Sequence, residues 1–195
     1  MGQEIVSEMY DGDGNLYVEE VIEDVYKCNI SDCTIGKVHT VKQPAGNKGR
    51  RKTDGWMTFK YTDSHSGFEG IQECKRGSAA QVNKLHYQLA QAIKYYWEVC
   101  IQLKKHKDTR FKVFCLNSEK YFAYVYKEEI QELLNILNPL FEKDDCAPNE
   151  LSNHPEKHKE IITAIKSFDI PFKIKLLPKE VDLAVIFKDI YYHCL

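Results

Sequence analysis

Residues 53–76, TDGWMTFKYTDSHSGFEGIQECKR, hold most of what this sequence says about architecture. WMTFKY (56–61) is aromatic and β-prone, TDSHSG (62–67) has the composition of a turn, and FEGIQECK (68–75) is a second strand pattern. Together they predict a β-hairpin. With the turn centred on Ser64 and His65, Lys75 faces Asp54 and Glu73 faces Trp56. Side chains alternate along a strand, so Asp54, Glu73 and Lys75 share one face and Cys74 points to the other. An odd-numbered loop would turn Asp54 to the wrong side. Two carboxylates held close repel each other unless a hard divalent cation sits between them. A lysine beside such a cation can orient or help deprotonate a water, or stabilise charge developing on phosphorus. Taken alone, Glu-x-Lys is common and is also what a solvated ion pair on an edge strand looks like.

The flanking segments add context. QPAGNKGRRKTDG (43–55) is a Gly- and Pro-containing loop in which Lys48, Arg50, Arg51 and Lys52 form the densest basic cluster of the first half of the chain. Arg76 follows Lys75, so positive charge lies on both sides of the hairpin in sequence. Phosphate contacts supply most non-specific nucleic-acid affinity, and a solvated loop is the alternative for such a run. Residues 79–105 show one long helical period, with Leu85, Leu89, Ala92, Tyr96 and Leu103 on the apolar side. Gln81, Lys84, Gln88, Gln91 and Tyr95 fall within about 60° of one another on a different stripe. An ordinary solvated face would carry Lys and Glu in place of three glutamines. YVEEVIEDVYKC (17–28) predicts an earlier amphipathic helix bearing Glu19, Glu20 and Glu23, of which Glu19 lies nearest the apolar centre. Asp11, Asp13 and Asn15 mimic the start of a calcium loop, but Leu16 and Ile22 occupy positions where that loop needs Gly and Glu.

An acid opening one strand, Asp54 in Lys52-Thr53-Asp54-Gly55, then Glu73-Cys74-Lys75 in the next strand, then a helix, resembles the PD-(D/E)XK nuclease superfamily. Thr53 stands where the family name has Pro. The resemblance spans roughly residues 15–126 and is one of pattern. It implies a restriction-endonuclease-like fold and a metal-dependent endonuclease that hydrolyses DNA, most simply double-stranded. Asp54 and Glu73 would hold Mg²⁺ or Mn²⁺ with the backbone carbonyl of Cys74, and Glu19 could join them. Lys75 would act on the water. Some members carry Gln-x-x-x-Tyr on the helix, which Gln91 and Tyr95 match, and Gln91 would position the water or the phosphate. Lys48, Arg50, Arg51, Lys52 and Arg76 would bind the nucleic-acid backbone. Such domains often stand at the N-terminus of restriction-modification polypeptides, so further domains or a homodimer are expected partners. A nuclease-like module that binds or assembles without catalysis is the competing reading.

Beyond the hairpin, GKVHTV (36–41) predicts a short strand, and FKVFCL and YFAYVY (111–126) predict a second hairpin about Asn117-Ser118-Glu119. EEIQELLNILNPLF (128–141) predicts a helix ended by Pro139. EKDDCAPNELSNHPEK (142–157) predicts a polar loop, followed by a helix near 158–168, a strand in PFKIKLLP (171–178) and an apolar helix at 180–195. The expectation is an α/β domain, a restriction-endonuclease-like mixed sheet flanked by helices. Residues 1–145 form its core and 146–195 a C-terminal helical extension, packed on the core or leading to a missing domain.

The 195 residues are 43% hydrophobic and 29% charged with net charge −2, which suits one globular domain and excludes a broadly basic nucleic-acid binder. No apolar run reaches the roughly 18–20 residues a bilayer span needs, and the N-terminus has no basic secretory region. Seven cysteines without a repeated spacing predict buried thiols in a reducing cytoplasm. Cys28 and Cys33 lack a second pair at zinc-site distance. His154 and His158 have helical ligand spacing, but Pro155 between them opposes a helix.

Overall fold

Alternating apolar residues on short strands, joined by one long amphipathic helix, build a mixed sheet. The computed structural model describes residues 36–41, 53, 55–61, 67–75, 82–118, 121–168, 175–178 and 183–194. Strands β1 (Gly36–Val41), β2 (Gly55–Tyr61) and β3 (Gly67–Lys75) form an antiparallel meander. Strand β4 (Phe111–Ser118) runs parallel to β3, while β5 (Tyr121–Tyr126) and β6 (Lys175–Pro178) continue antiparallel. Strand order in the six-stranded sheet follows chain order. The parallel step from β3 to β4 needs a crossover, supplied by α1 (Val82–Tyr96) with its π-helical end Trp97–Gln102.

Helices cover both faces. On one, α1 packs with α2 (Gln131–Lys143), α3 (Pro148–Asn153) and α4 (Lys159–Ser167) over Trp56, Ile71, Phe114, Leu116 and Val125. On the other, α5 (Leu183–His193) lays Ile186, Phe187, Ile190 and Tyr191 on Met57, Phe59, Phe68, Val113 and Phe122. The expected α/β class with a mixed sheet flanked by helices is therefore present. Residues after 146 contribute α3 and α4 to one face, β6 to the sheet and α5 to the other face. Among the described residues no helix is long and apolar enough to cross a membrane.

Several local expectations are corrected. Trp56 pairs with Ile71 and Gly55 with Gln72, a slip of two residues from the expected register. The observed pairing sets Phe59 opposite Phe68, whose rings stack at 4.3 Å between centroids, a cross-strand contact the expected register lacks. A slip of two preserves the faces, so Glu73 and Lys75 still lie on the α1 side and Cys74 on the α5 side. Pro139 does not end its helix. It lies inside α2, which continues to Lys143 and buries Phe141 one turn beyond Leu137. Residues 142–157 are not simply a loop, because Pro148 sits at the first position of α3 and Pro155 opens a further 3₁₀ turn. The helical pattern at 17–28, the calcium-like segment, the basic loop with Lys48, Arg50, Arg51 and Lys52, and Glu19, Asp54 and Arg76 lie outside the described residues.

Candidate active site

Glu73 lies near the end of β3 with its side chain completely buried (0% exposed) on the face that α1 covers. A carboxylate in such a place loses several kcal/mol of hydration unless partners replace the water. Two side chains do so at Oε1: Lys75 Nζ stands 3.1 Å away, and Gln91 Nε2 donates a hydrogen bond. Gln88 Nε2, one helical turn before Gln91, donates to the Glu73 backbone carbonyl at 2.7 Å. The helix thus holds both the side chain and the main chain of this one strand residue.

Gln91 is itself held. Ser152 Oγ, on α3, donates to Gln91 Oε1 at 2.6 Å. A continuous line therefore runs from Ser152 through the Gln91 amide to the Glu73 carboxylate and Lys75. It fixes the amide orientation, since Oε1 accepts from a hydroxyl while Nε2 donates to a carboxylate. Lys75 is 29% exposed, so the line ends on a cation that reaches solvent.

Gln88 and Gln91 owe their burial to layering. α1 lies between the sheet and the pair α3 and α4, so its polar side faces protein. Gln88, Gln91 and Lys94 are all buried there. Lys94 Nζ approaches the carbonyls of Phe141 at 3.5 Å and Asp144 at 3.4 Å, where α2 ends and its last carbonyls need donors. Its ammonium also lies 4.2 Å from the Trp97 ring centroid. Lys94 is thus committed to packing and capping.

Of the residues expected at the site, the structure brings together Glu73, Lys75 and Gln91, and the Cys74 main chain lies between the first two. The Cys74 side chain joins the opposite core. Tyr95, near the end of α1, is buried in the core. Thr53 and Gly55, on either side of Asp54 in sequence, are both buried. Ser152 was missed, because its segment has the polar composition of a loop and the side chain it serves lies 61 positions earlier. A second buried glutamate on the same face of β3, Glu69, meets His106 Nδ1 at 3.2 Å and Arg110 at 3.8 Å. That pairing joins β3 to the segment entering β4, next to Trp56, whose ring lies 4.5 Å from that of His106.

No family model, curated protein or solved structure matches this chain.

Proposed function

We propose that this protein is a metal-dependent endodeoxyribonuclease of the PD-(D/E)XK type, with a restriction-endonuclease-like fold, acting on double-stranded DNA. One observation supports it most: a fully buried glutamate is held by a solvent-reaching lysine two residues on and by a glutamine from the crossover helix. Packing alone gives no reason to bury Glu73, since an apolar residue there would avoid the desolvation penalty. The chain path is compatible with the reading, because an antiparallel hairpin leads through a helix to a strand parallel to β3.

The donor set suits Mg²⁺ or Mn²⁺, which take carboxylate and carbonyl oxygens. Glu73, the Cys74 carbonyl and Asp54 would hold the ion, with Glu19 as a further candidate. When bound, it would supply charge stabilisation and lower the pKa of a water. The chain's own groups then have defined tasks. Lys75 spends one of its three N–H donors on Glu73 and keeps others for a water or a phosphate oxygen. Gln91 holds Glu73 in one rotamer so that its geometry does not relax when charge changes around it. Gln88 holds the strand beneath. Lys48, Arg50, Arg51, Lys52 and Arg76 would neutralise backbone phosphates, giving affinity that falls with salt.

The test is incubation with supercoiled and linear DNA in Mg²⁺, Mn²⁺ or EDTA, with Asp54→Asn and Lys75→Ala run alongside. Cleavage that needs metal and falls about 10²–10⁴-fold in Lys75→Ala is expected. Cleavage that persists in EDTA, or that survives both substitutions, would contradict the proposal.

A further inference from the structure

Away from Glu73, the segments joining α2, α3 and α4 bring together a second group of side chains. Asp144 ends α2, Cys146 lies in the short link before α3, and His158 precedes α4. One ligand atom of each lies within 4.8 Å of those of the other two. Cys146 is 3% exposed and His158 9%, while Asp144 is partly open to solvent. Both ring nitrogens of His158 meet carboxylates: Nδ1 is 2.6 Å from Asp144 Oδ2, and Nε2 is 3.6 Å from Glu150 Oε2 in the first turn of α3. These residues are too irregularly spaced in sequence to show as a metal motif.

We propose that Asp144, Cys146 and His158 bind a divalent transition metal of the zinc class, with Glu150 of α3 held against the other ring nitrogen of His158, and so fasten α2, α3 and α4 to one another. The donor chemistry is specific, since thiolate and imidazole together select zinc-like ions over Mg²⁺ and Ca²⁺. In a tetrahedral site with zinc–ligand bonds of 2.0–2.3 Å, ligand atoms stand roughly 3.4–3.8 Å apart. Binding therefore opens the 2.6 Å His158 Nδ1–Asp144 Oδ2 pair by about 1 Å and draws in separations that now reach at most 4.8 Å, through the partly exposed Asp144. His158 Nδ1, on the Asp144 side, takes the metal while Nε2 keeps Glu150 as its carboxylate partner, an arrangement that fixes the tautomer of a ligating histidine.

The position gives the metal something to stabilise. α3 has only 6 residues and no side-chain cap, and helices that short do not persist by themselves. It is also the helix that carries Ser152 to Gln91. The metal would thus hold in place the outermost member of the line that ends on Glu73; this last consequence rests on the proposed function, whereas metal binding does not.

The probe is Co²⁺ titrated into the full metal-free chain. One equivalent is expected to give the visible bands of tetrahedral cobalt and a near-ultraviolet thiolate-to-cobalt band, both removed by excess Zn²⁺. Cys146→Ser should lose the thiolate band, and Glu73→Gln should retain it, which separates this site from the proposed nuclease site. Asp144→Asn, at a partly exposed residue, tests the site without emptying the core. It should keep the metal-free melting temperature and weaken Co²⁺ binding at least about tenfold. Failure to bind Co²⁺ or Zn²⁺ stoichiometrically, a thiolate band that survives in Cys146→Ser, or unchanged affinity in Asp144→Asn would each overturn the proposal.

Discussion

Gln91 uses both ends of its amide, giving a proton to Glu73 and taking one from Ser152, and this makes it the most informative single side chain in the molecule. It does not carry charge and it is buried, so its role is to hold Glu73. Gln91→Ala should lower DNA cleavage about 10–100-fold, the usual cost of removing a group that orients a metal ligand. Ser152→Ala, one step further out, should cost less than about tenfold. Gln91→Glu should be worse than Gln91→Ala, since it sets a second carboxylate against Glu73 without a donor between them. Initial rates against Mg²⁺ concentration would show whether the loss lies in metal affinity; equal rates for all three variants and the wild type would remove Gln91 from the site. That Glu73 and Lys75 share a face was legible because strand side chains alternate, whereas Gln91 was singled out of its helical stripe only by the resemblance to a Gln-x-x-x-Tyr pattern. Ser152 was not, because nothing local to 142–157 points to a partner on α1.

Strand β3 shows how one residue sets an element's geometry. Pairing with β4 shifts register between Glu69 and Gly70, with Glu69 opposite Phe111 and Gly70 opposite Val113. Lys112 is thereby left over, which is why Phe111 and Val113, two apart in sequence, join opposite cores. The close approach needs glycine. A Cβ on Gly70 would stand 2.6 Å from Val113 Cγ1 and 2.9 Å from the Val113 carbonyl oxygen, and that backbone has nowhere to retreat within the sheet. Gly70→Ala should therefore destabilise the fold by about 1–3 kcal/mol, measured by urea denaturation; a loss below about 0.5 kcal/mol would mean that β3 and β4 part easily. Element types were legible here and register was not. Strand alternation fixes which residues share a face but does not separate registers two apart, and the observed one stacks Phe59 on Phe68. Pro139 misled for a related reason: its missing N–H costs one helical bond, and burial of Phe141 on the far side outweighs that.

Across the whole molecule, two cores share one sheet, and each contains buried thiols. Burial, then the charges of Asp108 and Glu69, push Cys100 up to about 12, and complete burial holds Cys115 well above its ordinary value. Above the ordinary thiol value near 9.0, the unfolded chain has released these protons while the folded chain still holds them. Stability is thus full below about pH 9 and falls as pH rises toward 12. Urea midpoints at pH 8 and pH 10 should show the drop, and Cys100→Ala should lessen it; an unchanged midpoint would mean that the buried thiols ionise freely. The two-sided covering of the sheet was partly legible. Val181 to Tyr191 looked too apolar for a free helix, and α5 does bury Ile186, Phe187, Ile190 and Tyr191 while leaving Val185 exposed. The acidic balance of the whole chain gave no hint that one of its glutamates is fully enclosed beside a lysine. That enclosed glutamate is the proposed centre of the chemistry. Its most direct test is the rate at which Glu73→Gln nicks supercoiled plasmid at saturating Mg²⁺, relative to wild type, with the far-ultraviolet circular dichroism of both chains recorded. A folded Glu73→Gln whose metal-dependent nicking has fallen at least about 100-fold is predicted. A folded variant that nicks at the wild-type rate would contradict a nuclease built on Glu73.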